Sequence, residues 1–204
     1  MPRPIYAEID IQALKHNLAR LRESVGDRTL WAVVKANAYG HGLENAVEAF
    51  ADADGFATID LCDAERARRA GWHKRVLLLE GFFDETDIEP LQDLDVETVV
   101  HSMWQIDILK RLQLREVKVH IKVNSGMNRL GFLPVEVGTI YDLLTSIPGV
   151  KVMGALCQRR AELSRRCARI GLPTAHPHGQ ARAFRHGGLH GQLRCHPLAS
   201  RSGR

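Results

Sequence analysis

Strand-like and helix-like segments alternate along most of this 204-residue chain, which makes it an α/β protein of the (β/α)8-barrel type. Three observations carry that reading. From residue 30 onward six apolar, β-branched runs recur at even intervals, separated by helix-patterned stretches. Strands that alternate with helices form a parallel sheet with right-handed crossovers. A doubly wound sheet would fit the same alternation, but the repeats are even and no GxGxxG follows the first strand, which favours the barrel. A closed barrel of this kind needs eight strands, and here the pattern stops after six, near Leu156.

Each element has its own signal. "IYAEID" (5–10) alternates like a short strand, and Asp10 can then N-cap the helix "IQALKHNLARLRES", whose Ile11, Leu14, Leu18 and Leu21 share a face. "LWAVV" (30–34) is nearly continuous in apolar residues, as a strand buried on both faces should be, and the helix "LENAVEAFADA" follows. Strand "GFATI" (55–59) leads to helix "DAERARRAG", and "RVLLLEG" (75–81) leads to "ETDIEPLQDL". "VETVVHS" (96–102) precedes "MWQIDILKRLQ", and "VKVHIKV" (117–123) precedes "PVEVGTIYDLLTS", with Pro134 in its first turn. "VKVMGAL" (150–156) is the sixth strand.

Charge divides the chain at the same place. Residues 1–156 hold 18 basic and 23 acidic side chains, a net −5, while residues 157–204 hold ten arginines, no lysine and one acid, a net +9. The overall +4 therefore belongs to the tail, and a nucleic-acid partner does not follow from it. The tail has no sustained period, one isoleucine, one phenylalanine and no valine, so it can build little core. Its Arg/His/Gly/Pro/Cys mixture is what a GC-rich gene yields when read out of frame; a true basic arm and a folded extension are the alternatives. The expected domains are thus a partial barrel over 1–156 and an irregular Arg-rich tail over 157–204. Cys62, Cys157, Cys167 and Cys195 lack zinc-ligand or CxxC spacing, so no metal is expected and reduced thiols are the simplest reading. With no run of 18 apolar residues and no apolar leader, the expectation is a cytoplasmic protein without a membrane span.

In a parallel barrel, functional residues gather where strands end. Lys35 closes the first barrel strand, with Tyr39 and His41 in the loop behind it. A strand-end lysine is either a solvated surface residue or, once desolvated, an amine able to form a Schiff base. Tyr39 is close enough to share a ligand with Lys35 or is simply packing, and His41 between two glycines reads as a loop conformer rather than a base. On the fifth strand Lys118, His120 and Lys122 share one face. If that face is internal, Lys122 must be neutralised, because an unpaired buried ammonium is expensive; a wet, polar stripe is the alternative. Arg129, between Gly126 and Gly131, suits a guanidinium offered to an anion, or is an ordinary loop arginine.

"AVVKANAYGHG" (32–42) and "KVNSGMNRLGF" (122–132) closely resemble the two N-terminal signatures of alanine racemases, and "PIYAEIDIQALKHNL" (4–18) resembles that family's opening segment. The resemblance runs from about residue 2 to 156. It implies a pyridoxal 5′-phosphate enzyme with a (β/α)8 barrel followed by a mainly β domain, working as a homodimer on L- and D-alanine for peptidoglycan supply. By that likeness Lys35 is the Schiff-base lysine and the base that exchanges the α-proton on the D-alanine side. Tyr39 would hydrogen-bond the cofactor phosphate, and Arg129 would contact the cofactor's phenolic oxygen and the substrate carboxylate. Lys122 matches a position often carbamylated in the family, and a carbamate there could pair with Arg129. Nothing in this chain matches the family's second base, a tyrosine from the other subunit's C-terminal domain. Strands seven and eight are also unmatched, and "CQRR" stands where a histidine-containing segment is usual. The expectation is a chain without appreciable racemase turnover, the alternative being a non-catalytic cofactor-binding or misfolded remnant.

Overall fold

The computed structural model describes residues 6–157 and the backbone of residues 184–185. Helix α1 (Ile11–Val25) begins where Asp10 accepts hydrogen bonds from the Gln12 and Ala13 N–H groups, at 2.8 and 3.0 Å. Its buried face is the expected leucine row, Leu14, Leu18 and Leu21, with Asn17 added. Residues 6–10 are not a strand. Their alternation leads an extended chain into the cap, no strand among the described residues pairs with them, and Tyr6 is 87% exposed.

Six strands then follow in chain order. They are β1 (Trp31–Val33), β2 (Gly55–Thr58), β3 (Arg75–Leu78), β4 (Glu97–Val100), β5 (Val117–Val123) and β6 (Val150–Cys157). The segments between them carry α2 (Lys35–Tyr39), a single turn, and helices α3 (Leu43–Ala49), α4 (Leu61–Arg69), α5 (Ile88–Asp93), α6 (Met103–Arg111) and α7 (Val137–Thr145). Every strand pairs in parallel with the next, so the sheet order is the sequence order. A doubly wound sheet reverses its order at a switch point. An order without reversal is the arc of a barrel, which decides between the two architectures the sequence left open.

β6 runs to Cys157, one residue past its expected end. A seventh strand, β7 (Phe184–Arg185), pairs in parallel with Leu156 and Cys157, inside the segment read from sequence as irregular. Two residues pair through backbone groups alone and leave no periodicity to read. The rest of the expected 157–204 tail lies outside the described residues.

β1, β2 and β4 are buried along their whole length, as expected for strands between helices outside and a filled interior. The interior is visible in contacts between strands that are not neighbours. The Arg75 guanidinium of β3 lies 4.6 Å over the Trp31 ring of β1, and His120 of β5 meets the same ring edge-on at 6.4 Å. Strands two and four places apart can touch only across the concave side of the sheet. Glu97 joins this layer. Its carboxylate takes two hydrogen bonds from Arg75 and lies 2.6 Å from His120 Nε2. Burial pushes the Glu97 carboxyl up, but the bonds from His120 and Arg75 more than reverse this and hold it at about 2. Gly55 makes room for the layer, since a Cβ there would come within 2.4 Å of the Trp31 ring.

Candidate active site

Two residues beyond His120 on the same inner face, β5 presents Lys122 at its C-terminal end, and β1 delivers Lys35 to the same mouth. After β1 the chain keeps its pairing for one more residue, with the buried Val34 donating to the Ala57 carbonyl at 2.9 Å. Then it turns with the opposite hand to an ordinary helix. Ala36, Asn37, Ala38 and Tyr39 all have φ between 52° and 54°. Left-handed backbone costs an L-residue about 1–2 kcal/mol, and Asn tolerates it better than most. The turn is held by Ala38 N–H on the Val34 carbonyl (2.8 Å), Gly40 N–H on the Ala36 carbonyl (3.1 Å) and Gly42 N–H on the Asn37 carbonyl (3.0 Å).

Smallness in "KANAYGHG" therefore has a structural cause: an alanine Cβ is the least obstructive one in this conformation. Lys35 and Tyr39 bracket the turn, both half-buried, and Tyr39 packs against the core. His41 Nδ1 lies 3.0 Å from the Ala38 carbonyl, which can only accept, so Nδ1 carries the proton there. That agrees with reading His41 as a loop conformer. The left-handed hand itself was missed, because the sequence signals a small loop and nothing more.

Lys122 is 4% exposed, and its amine is lowered to about 8. Burial is the main cause, followed by the Arg129 charge; Lys35 adds to the lowering, and Glu80 and Cys157 partly offset it. Three cations thus converge on one mouth. The other two groups on the strand face have partners lower down: Lys118 pairs with Asp95 at 2.5 Å, and His120 Nε2 lies 2.6 Å from the Glu97 carboxylate. No ion pair to Lys122 forms among the described residues. The stripe is therefore internal at His120 and Lys122 and wet only towards Lys118.

Arg129 rides on a loop that closes back onto its own strand. Asn124 Oδ1 accepts from the Gly126 and Asn128 N–H groups, at 3.1 and 3.0 Å, and Phe132 N–H donates to the Lys122 carbonyl at 2.9 Å. Gly131 permits that closure, with φ at 110° and the Lys122 carbonyl 2.8 Å from where a Cβ would stand. The loop and Lys122 line a small recess open in part to solvent, with Met127 and Leu130 on its wall. Asn124 escaped the sequence reading, although its place before Ser-Gly is a turn signal.

Glu80 and His101 were missed as well. His101 is lowered by burial, and Glu80 is the carboxylate whose charge is felt at both His101 and Lys122. The fully buried Gln105 fixes this part of the rim, donating to the Phe82 carbonyl at 3.1 Å and accepting from His101 N–H at 2.8 Å. Neither signals itself in sequence, because each depends on the loop after β3 reaching the end of β4. Among the described residues no group of His, Cys, Asp and Glu could hold a metal ion, and no helix is long and apolar enough to cross a membrane.

An amine, a phenol and a guanidinium at a cationic mouth suit an anionic ligand that carries a carbonyl carbon. Comparison with known proteins bears on which. Residues 9–157 match the family model described as "Alanine racemase, N-terminal domain". The chain is 50% identical over 152 residues to an alanine racemase of Janthinobacterium sp. (strain Marseille), covering 74% of this chain and 42% of that protein. It is also 50% identical over 151 residues to an alanine racemase of Variovorax paradoxus (strain S110), covering 74% and 41%. Among solved structures, the biosynthetic alanine racemase of Pseudomonas aeruginosa superposes with a TM-score of 0.71 at 35% identity, over 75% of this chain and 43% of that one. The Corynebacterium glutamicum alanine racemase gives 0.69 at 30% identity, over 74% and 44%. The chain spans about two fifths of the length of these curated relatives.

Proposed function

The chain belongs to the family of the alanine racemase N-terminal domain, and on that premise we propose that it is the barrel part of a pyridoxal 5′-phosphate-dependent alanine racemase. The observation that carries the proposal is the pairing of Lys35 and Tyr39 on the left-handed turn with Lys122 and Arg129 across the same mouth. The donor set fits the cofactor: an amine for its aldehyde, a phenol and a guanidinium for its anionic groups. When bound, the cofactor supplies a conjugated ring that delocalises the electron pair left on the substrate α-carbon.

The rest is the work of the chain's own residues. Lys35 would hold the cofactor through its amine and would take and return the α-proton on the D-alanine side. The Tyr39 hydroxyl would donate to the phosphate. Arg129 would hold the phenolic oxygen and the substrate carboxylate through charge-assisted contacts. At an amine value of about 8, roughly a tenth of Lys122 is neutral at pH 7. That neutral amine can add carbon dioxide and shed a proton, and the resulting carbamate anion pairs with Arg129. The buried cation thereby becomes an anion among cations.

Racemisation requires an acid/base group on each face of the α-carbon. Lys35 supplies one. The reading includes a homodimer as the source of the other, L- and D-alanine as substrates, peptidoglycan precursor supply and a cytoplasmic location. It also includes a barrel domain over about 1–156, followed by an Arg-rich stretch from which β7 pairs back onto β6. A second reading rests on the matched share of the relatives: a barrel that captures the cofactor without turnover.

Two measurements on the purified 204-residue chain separate the readings. Covalent cofactor absorbance that disappears in Lys35→Ala supports Lys35 as the anchor, and an unchanged band in that variant defeats it. D-alanine formation above the free-cofactor background favours racemase turnover; capture without turnover favours the second reading.

A further inference from the structure

Asn37 occupies the second left-handed position of the turn, and its side chain reaches outside the turn. Oδ1 accepts from Leu43 N–H, the first residue of α3, at 3.0 Å, and from Arg66 Nη2 on α4 at 3.1 Å. The same Nη2 lies 2.9 and 3.0 Å from the two carboxylate oxygens of Glu44 on α3, and Arg66 Nη1 lies 3.7 Å from Asp63. The Asn37 carbonyl meanwhile accepts from Gly40 and Gly42 N–H. One residue thus joins the turn to two successive crossover helices.

We propose that Asn37, braced by Arg66 and Glu44, is a positioning residue that keeps the turn left-handed and so fixes where the Lys35 amine and the Tyr39 hydroxyl are presented. The inference rests on the reading of Lys35 as the cofactor lysine. A right-handed turn is intrinsically favoured for Ala36, Ala38 and Tyr39, so the left-handed form persists only where outside ties over-determine it. Lys35 precedes the four left-handed residues and Tyr39 is the last of them. Reversing the hand would move the phenol relative to the amine. Asn37 is at once the residue that best tolerates the conformation and the one tied to α3 and α4. A local turn-former would be indifferent to Arg66, which makes Arg66 the residue to change.

The test compares the full chain with Arg66→Met, which keeps the apolar stem, and with Asn37→Gly, which accepts left-handed backbone without strain but loses the carboxamide. Amide hydrogen exchange is read at Gly40, Gly42 and Leu43. Covalent capture of pyridoxal 5′-phosphate is split into its half-saturating concentration and its first-order rate. In Arg66→Met the three amides should exchange about fivefold faster, the size expected for one charge-assisted bond at a partly exposed site, with the β4 and β5 amides unchanged. The first-order capture rate should fall by a similar factor at an unchanged half-saturating concentration. Asn37→Gly should lose protection at Leu43 in the same way. Wild-type exchange at the three amides in either variant, or faster exchange at all amides alike, overturns the proposal. A parent chain that captures no cofactor defeats the reading of Lys35 instead, while amide exchange still decides whether the brace holds the turn.

Discussion

Lys122 and Glu97 are both buried and ionisable, yet they meet opposite electrostatic fates. Glu97 has Arg75 and His120 against it, and its carboxyl sits at about 2 instead of 4.5. A depressed carboxyl contributes stability that is present above the unfolded value and lost as pH falls through the folded one, here between about 4.5 and 2. The shift corresponds to about 3 kcal/mol. Glu97→Gln, which removes the carboxylate beside Arg75 and His120, should cost about 3–5 kcal/mol in urea denaturation at pH 7, and the variant's stability should fall less steeply across that acid window than the parent's. Lys122 runs the other way. Its lowered amine means that the folded state binds fewer protons than the unfolded state between about 8 and 10.5, so stability rises with pH there. Below about 8 the buried charge is a liability, and Lys122→Met should stabilise the chain by about 1–3 kcal/mol at pH 7 in carbon dioxide-free buffer. Bicarbonate should raise the melting temperature of the parent chain and leave that of Lys122→Met unchanged.

The left-handed turn is where element and function meet. Four successive non-glycine residues in this region store strain that the surrounding hydrogen bonds must outweigh. Ala36 is exposed, so its conformational cost can be measured apart from packing. Ala36→Gly should stabilise the chain by about 0.5–1 kcal/mol, and Ala36→Val should destabilise it by about 2 kcal/mol or more, both read from denaturant midpoints. Equal stability of the two variants would mean that the turn is not left-handed in solution. The sequence showed part of this: Lys35 and Tyr39 stood out, as did the smallness of what lies between them. The hand did not show, because Ala-Asn-Ala is as compatible with a right-handed turn or an open loop. Asp10 is the contrary case. Its cap was legible because every partner in it lies within three residues.

At the scale of the whole molecule, the interior layer makes a barrel arc out of separate βα units. Trp31, Arg75, Glu97 and His120 come from four strands and fill the space below the mouth. Gly55 is the notch that admits the Trp31 ring, so Gly55→Ala should cost about 1–3 kcal/mol by overpacking, detectable in the denaturation midpoint. A variant as stable as the parent would mean that the ring does not lie across β2. Lys35, Lys122 and Arg129 then sit above a plugged interior, which explains why the cationic mouth is closed from below.

What the sequence determined by itself is whatever local periodicity encodes: six strands, the helices between them, the α1 cap, and a lysine placed at a strand end in a run of small residues. It also showed that the net positive charge of the chain comes from residues 157–204. Tertiary structure alone decided that the sheet never reverses its order and that β7 pairs where no periodicity announced a strand. It decided that "VKVHIKV" divides into a wet lysine, a paired histidine and a buried amine, and that the turn after Lys35 is left-handed. The physical reason is the same throughout. Periodicity is written between residues a few positions apart, whereas neutralising partners, inter-strand order and the hand of a strained turn depend on groups distant in the chain, from Glu97 against His120 to Arg66 against Asn37.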